Sequence, residues 1–126
     1  MTARVLVVDD SATVRQQVGI ALRQSGFEIV EACDGAEGAE AIGKGGIDCV
    51  ICDVNMPNMN GIEMLRKVKS EPANADLPVV MLTTEGSKEL ITQAKEAGAK
   101  GWIVKPFKAD LLVAAVEKLT SAAAAS

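Results

Sequence analysis

The stretches Val5-Leu6-Val7-Val8, Cys49-Val50-Ile51-Cys52 and Val79-Val80-Met81-Leu82 are each short and apolar at every position. A strand that is apolar on consecutive residues has both faces buried, which is the condition of a strand inside a parallel sheet covered on both sides. Parallel neighbours cannot be joined by tight hairpins; each needs a crossover, usually a helix. The segments between the runs supply those crossovers. Val14, Val18, Ala21 and Leu22 recur at helical spacing behind Ser11, a residue suited to capping, and Gly26 closes that segment. Strands are expected at Arg4–Val8, Glu28–Ala32, Cys49–Asp53, Val79–Leu82 and Gly101–Val104. The further helices are expected at Gly35–Lys44, Gly61–Ser70, Ser87–Ala97 and Ala109–Ala122. Gly38, Gly43 and Gly45 make the Gly35–Lys44 segment the one expected to be loosest. The pattern is an α/β fold: a doubly wound five-stranded parallel sheet with helices on both faces and right-handed crossovers.

A chain of 126 residues suits one domain with one core, here residues 1–122 with a short tail at 123–126. With only Phe27, Trp102 and Phe107 as aromatics, that core must be aliphatic. The net charge of −4 argues against nucleic-acid binding, which calls for a basic stripe. The charge is uneven: seven basic and thirteen acidic groups up to residue 85, and six basic against four acidic beyond it. The first apolar run breaks at once on Asp9 and Asp10, unlike a signal peptide. No stretch approaches the roughly 20 apolar residues of a membrane span. A cytoplasmic monomer, not inserted in a membrane, is expected. Cys49 and Cys52 have redox-pair spacing, but inside a strand their side chains point to opposite faces, too far apart for a disulfide. With no histidine in the chain, they read as small buried hydrophobes.

The chemistry lies where the strands stop. Asp9 and Asp10 follow the first strand, Asp53 the third, Thr83 the fourth and Lys105 the fifth. In a doubly wound sheet these ends share one edge, and the crevice opens where the winding reverses. At an effective dielectric of about 20 and about 4 Å, each pair of carboxylates there repels by about 4 kcal/mol. One lysine cannot neutralise three acids, so either a carboxyl stays protonated or a divalent cation binds. Hard oxygen donors with room for water suit Mg²⁺. A metal, an ammonium and a hydroxyl around a carboxylate nucleophile make a phosphoryl-transfer site.

The residues Val7-Val8-Asp9-Asp10-Ser11, Asp53-x-x-Met56-Pro57-x-Met59-x-Gly61, Leu82-Thr83-Thr84 and Val104-Lys105-Pro106-Phe107 resemble response-regulator receiver domains. The resemblance runs from residue 3 to about residue 120. Within the family, Met81–Gly86 and Lys100–Phe107 are most similar to stand-alone chemotaxis regulators of the CheY type. The resemblance implies the flavodoxin-like strand order 2-1-3-4-5. It implies Asp53 as phosphoacceptor from a phosphohistidine on a CheA-like sensor kinase. It implies Asp10 as a direct Mg²⁺ ligand, Asp9 as one acting through water, and Asn55 as a ligand through its carbonyl. Lys105 would pair with the acyl phosphate across a cis Lys105–Pro106 bond, and Thr83 would be the switch hydroxyl. Asn55 and Glu85 occupy positions where the family tunes phosphoryl lifetime. The implied partners are the kinase, a downstream target such as the flagellar motor switch, and a phosphatase.

Two positions depart from the family pattern. Trp102 stands where Tyr or Phe is usual. An indole is larger, and its N–H needs a partner when buried, so Trp102 is either an inward-turning switch residue or a surface anchor for partners. Thr84 stands where Ala or Gly is usual, and it would narrow access to the site. Thr83 is taken as the switch because it directly follows the apolar strand. No output domain is expected after the fifth helix, so output would be a changed surface, with Lys88, Lys95, Lys100, Lys108 and Trp102 on the face that docks. The rivals fit less well. Aspartyl phosphohydrolases resemble a first-strand Asp-x-Asp, not adjacent acids, and a flavin module would want a phosphate-binding loop where Asp9 and Asp10 stand. A phosphorelay intermediate within the same family stays open.

Overall fold

The computed structural model describes residues 3–56 and 59–125. The elements run β1 (Arg4–Val8), α1 (Ala12–Gln24), β2 (Glu28–Ala32), α2 (Gly35–Gly43), β3 (Cys49–Cys52), α3 (Gly61–Lys69), a 3-10 turn (Pro72–Asn74), β4 (Val79–Thr83), α4 (Lys88–Ala97), β5 (Gly101–Val104) and α5 (Ala109–Ala125). All five strands are parallel, in the order β2-β1-β3-β4-β5. This is the expected flavodoxin-like sheet. The winding reverses between β1 and β3, whose ends are in register at Val8 and Cys52.

The doubly apolar strands divide their side chains between two cores. Leu6, Val8, Val50, Cys52, Val79 and Met81 meet Ile42, Ile62, Met64, Leu65 and Ala94 from α2, α3 and α4. Val5, Val7, Cys49, Ile51 and Leu82 meet Val18, Leu22, Leu112 and Val116 from α1 and α5. Cys49 and Cys52 therefore lie on opposite faces as free buried thiols. Burial pushes the Cys49 thiol up to about 12 and the Cys52 thiol higher still.

Several boundaries fall differently from the sequence reading, each for a local reason. Asp53 lies one residue beyond β3, and Thr83 is the last residue of β4. Ser87 lies outside α4 as its N-cap, accepting from Leu90 N, and Ser70 and Lys44 are C-caps. α5 continues through the alanines to Ala125, into the stretch read as a tail. Gly38 serves contact rather than looseness: a Cβ there would meet Met64 Sδ at 2.8 Å and Val8 Cγ2 at 3.0 Å, so its absence lets α2 lie close on β1 and α3. No helix among the described residues is long and apolar enough to cross a membrane.

Candidate functional site

Each strand delivers its polar residue to the same edge because each stops there. Asp9 N donates to Ala32 O at 3.1 Å, Asp53 N to Val8 O at 2.9 Å and Lys105 N to Thr83 O at 2.8 Å. Each residue therefore makes one more ladder-like bond before its chain turns away. α3 begins close behind. A Cβ on Gly61 would collide with the Asp53 carbonyl oxygen, so only glycine lets the helix start against the back of that residue. Asn60 caps α3 in a reciprocal capping box with Glu63. The Pro57 part of the loop leading there lies outside the described residues.

Asp9, Asp53 and Thr83 are the buried polar side chains among the described residues, at 2%, 6% and 0% exposure. Oxygens of Asp9, Asp10 and Asp53 lie within 4.8 Å of one another. Lys105 Nζ bridges two of them, donating to Asp9 Oδ2 at 2.8 Å and to Asp53 Oδ2 at 3.2 Å. Backbone N–H groups take the other oxygens: Ser11 N donates to Asp9 Oδ1 at 2.9 Å and Asn55 N to Asp53 Oδ1 at 3.4 Å. Asp10 is exposed beside them. Burial raises the Asp9 pKa despite its bonds from Lys105 and Ser11. Burial alone would lower that of Lys105; the bond and charge of Asp9, joined by Asp53, outweigh it and hold the ammonium above its ordinary value. The Lys105–Pro106 bond is cis.

A second layer joins this pocket to β5. Glu85 N donates to Thr83 Oγ1 at 3.2 Å, Asn55 Nδ2 to Glu85 Oε1 at 3.1 Å and Trp102 Nε1 to Glu85 O at 2.9 Å. The indole N–H has the partner its half-buried position requires. Thr84 is exposed and, with Lys105, Pro106, Phe107 and Val14, Gln17 and Ile20 of α1, lines a groove beside the pocket. The sequence-predicted residues thus gather as one acidic pocket, one hydrogen-bonded layer behind it and one rim.

Sequence reasoning missed Arg15. Its Nη1 donates to Asp9 O at 2.5 Å and its Nε pairs with Glu31 at 3.1 Å. The available signal was its place in the first turns of the helix that follows Asp9-Asp10, close to the same sheet edge. Cys33, Asp34 and Glu37 also cluster. Their bonds from Glu37 N to Asp34 and from Cys33 N to Glu37 are those of an α2 cap.

Residues 5–117 match the response regulator receiver domain. The chain belongs to that family. It is 38% identical over 117 residues to the chemotaxis protein CheY of Pseudomonas aeruginosa, covering 92% of this chain and 94% of that one. The structure of chemotaxis protein CheY4 of Vibrio cholerae superposes with a TM-score of 0.89 at 39% identity, covering 94% of this chain and 99% of that one. CheY in a CheX–CheY–BeF3–Mg complex from Borrelia burgdorferi superposes with a TM-score of 0.86 at 31% identity, covering 93% and 88%. The three converging carboxylates with one ammonium are hard, anionic donors that fit a small divalent cation.

Proposed function

We propose that this chain is a phosphorylation-activated switch of a two-component system. Asp53 accepts a phosphoryl group from a phosphohistidine on a CheA-like sensor kinase, and an altered docking surface carries the signal, in chemotaxis to the flagellar motor switch. The observation that carries this reading is the single Lys105 ammonium shared by buried Asp9 and Asp53, with exposed Asp10 beside them. An oxygen of Asp53 forms the new P–O bond while the P–N bond breaks, and the imidazole leaves with the electron pair. Asp10 would hold Mg²⁺ directly, with Asp53 and the Asn55 carbonyl. Asp9, already engaged by Lys105, would act through water. The metal, when bound, offsets the charge of the phosphoryl oxygens. Lys105 stabilises the same oxygens from the other side, and Thr83 supplies the hydroxyl that moves toward them.

Nothing here needs turnover of a small substrate, so the chain is a switch and not an enzyme in the ordinary sense. The CheY relatives support a place in chemotaxis, and the Borrelia complex, with beryllofluoride and Mg in its name, supports both the metal and a protein partner. The partners are the kinase, the target and a phosphatase, all met in the cytoplasm by a monomer. Lys88 and Lys95 in α4, Lys100 just before β5 and Lys108 just before α5 are all exposed, and they suit acidic partner surfaces. Incubation with Mg²⁺ and a small phosphoryl donor should add one hydroxylamine-sensitive phosphoryl group, read by mass spectrometry. Asp53→Asn should abolish it, and a label that persists would remove Asp53 as the acceptor.

A further inference from the structure

Resting on the metal-assisted reading above, we propose that Arg15 is the positioning residue of the cation site. Its guanidinium ties two elements to the peptide that joins the two acids. Nη1 donates to Asp9 O at 2.5 Å, and Nε pairs with Glu31 Oε1 of β2 at 3.1 Å. The Arg15 side chain is 17% exposed against 44% for Glu31, so the inner end of the pair is the one packed against the site. Asp9 is otherwise held through its N–H, bonded to Ala32 O, its Oδ1, bonded to Ser11 N, and its Oδ2, bonded to Lys105 Nζ, and none of these three bonds fixes its carbonyl. With its carbonyl also fixed, the plane of the Asp9–Asp10 peptide is set. That plane decides the direction in which Asp10, exposed and carrying no hydrogen bond or ion pair among the described residues, leaves the chain. Asp10 has no bond of its own to aim it, so its aim comes from the backbone, and Arg15 sets the backbone. Outer groups that orient metal ligands in this way are commonly worth about tenfold or more in metal affinity.

Charge alone makes the opposite prediction. Arg15 is a cation beside a cation site, and removing it would leave Glu31 unpaired, so simple electrostatics has Arg15→Met binding Mg²⁺ more tightly. Positioning has it binding more weakly. The sign separates the two accounts, and a merely structural role would leave the affinity of the folded variant unchanged. The test is calorimetric titration of Mg²⁺ into the full chain and into Arg15→Met and Arg15→Lys, each checked for fold by circular dichroism. Arg15→Met should weaken binding by about tenfold, and Arg15→Lys, which keeps the charge and loses the fork, by a smaller factor. If Arg15→Met fails to fold, Arg15→Lys decides: charge alone leaves it at wild-type affinity, positioning does not. Folded variants with equal or tighter binding than the wild type would overturn the role of Arg15. A wild-type chain that does not bind Mg²⁺ would remove the metal-assisted reading and the inference with it.

Discussion

At the scale of single residues, the three cysteines show how the same side chain is set by its surroundings. Cys49 and Cys52 lie in β3 between two helical layers, where burial disfavours a thiolate more than any neighbouring group stabilises it. Cys33 is exposed, and its Sγ donates to Glu37 Oε2 at 2.7 Å, a bond that raises its pKa because ionisation would break it. Native protein should therefore label slowly at Cys33 alone with iodoacetamide, and at all three on denaturation. The linkage has a definite sign. From about pH 9 the unfolded chain releases protons that folded Cys49 keeps until about 12. The unfolded state then binds fewer protons, and stability falls as pH rises, by up to about 1.4 kcal/mol per pH unit for each buried thiol. Lys105, also raised, adds loss of the same sign above its ordinary value. Urea unfolding of wild type and of Cys49→Ala/Cys52→Ala between pH 9 and 11 separates these, since the variant keeps the lysine share. Equal slopes would mean that the thiols ionise inside the folded chain.

At the scale of elements, legibility followed how far a residue's partner lies along the chain. β1, β3 and β4 were readable because each contains a run of four consecutive apolar residues, and the caps at Ser11 and Gly26 because they act on neighbours three or fewer residues away. Asp9, Asp53, Thr83 and Lys105 were readable because topology sends all strand ends to one edge. Lys69 was not. In the sequence it is one more residue at the end of the Gly61–Ser70 helix, yet its Nζ donates to Asn74 O, Ala75 O and Leu77 O at 3.2, 3.1 and 2.6 Å. It gathers the carbonyls of the Pro72–Asn74 turn and the approach to β4, and burial lowers its pKa. No local pattern encodes a lysine capping a turn that comes after it. Lys69→Met keeps the stem and removes the donors, and it should cost about 1–3 kcal/mol in urea unfolding. A change below about 0.5 kcal/mol, typical of surface substitutions, would show that water replaces the ammonium without loss.

At the scale of the whole molecule, the question is how an event at Asp53 reaches the face that carries the exposed lysines. The sequence left Trp102 with two roles, inward switch or surface anchor. The indole is half-buried over the core of α2, α3 and α4 and tied to the Glu85 carbonyl, a position from which either role can be tested. Thr83 is tied to the same residue through the Glu85 N–H, and Asn55 through its carboxylate. Glu85 is thus held from the acidic pocket on one side and from β5 on the other. If the Thr83 hydroxyl turns to a phosphoryl oxygen, it gives up the Glu85 N–H, and the peptide that Trp102 grips is released at one end. A packed interior answers such a change by switching between arrangements rather than by stretching. Trp102 is the one tryptophan in the chain, so its emission reads this link alone. Mg²⁺ with beryllofluoride should shift the emission of the wild type. Thr83→Ala should bind the same mimic, verified by mass spectrometry or fluorine resonance, while leaving the emission near that of the free chain. Asn55→Ala should change how long the modification lasts more than it changes the emission, because it touches the carboxylate of Glu85 and not the peptide that Trp102 holds. A full shift in Thr83→Ala would mean that the signal reaches β5 by a route that bypasses Glu85, and the joint assignment of Thr83 and Trp102 to the switch would fall.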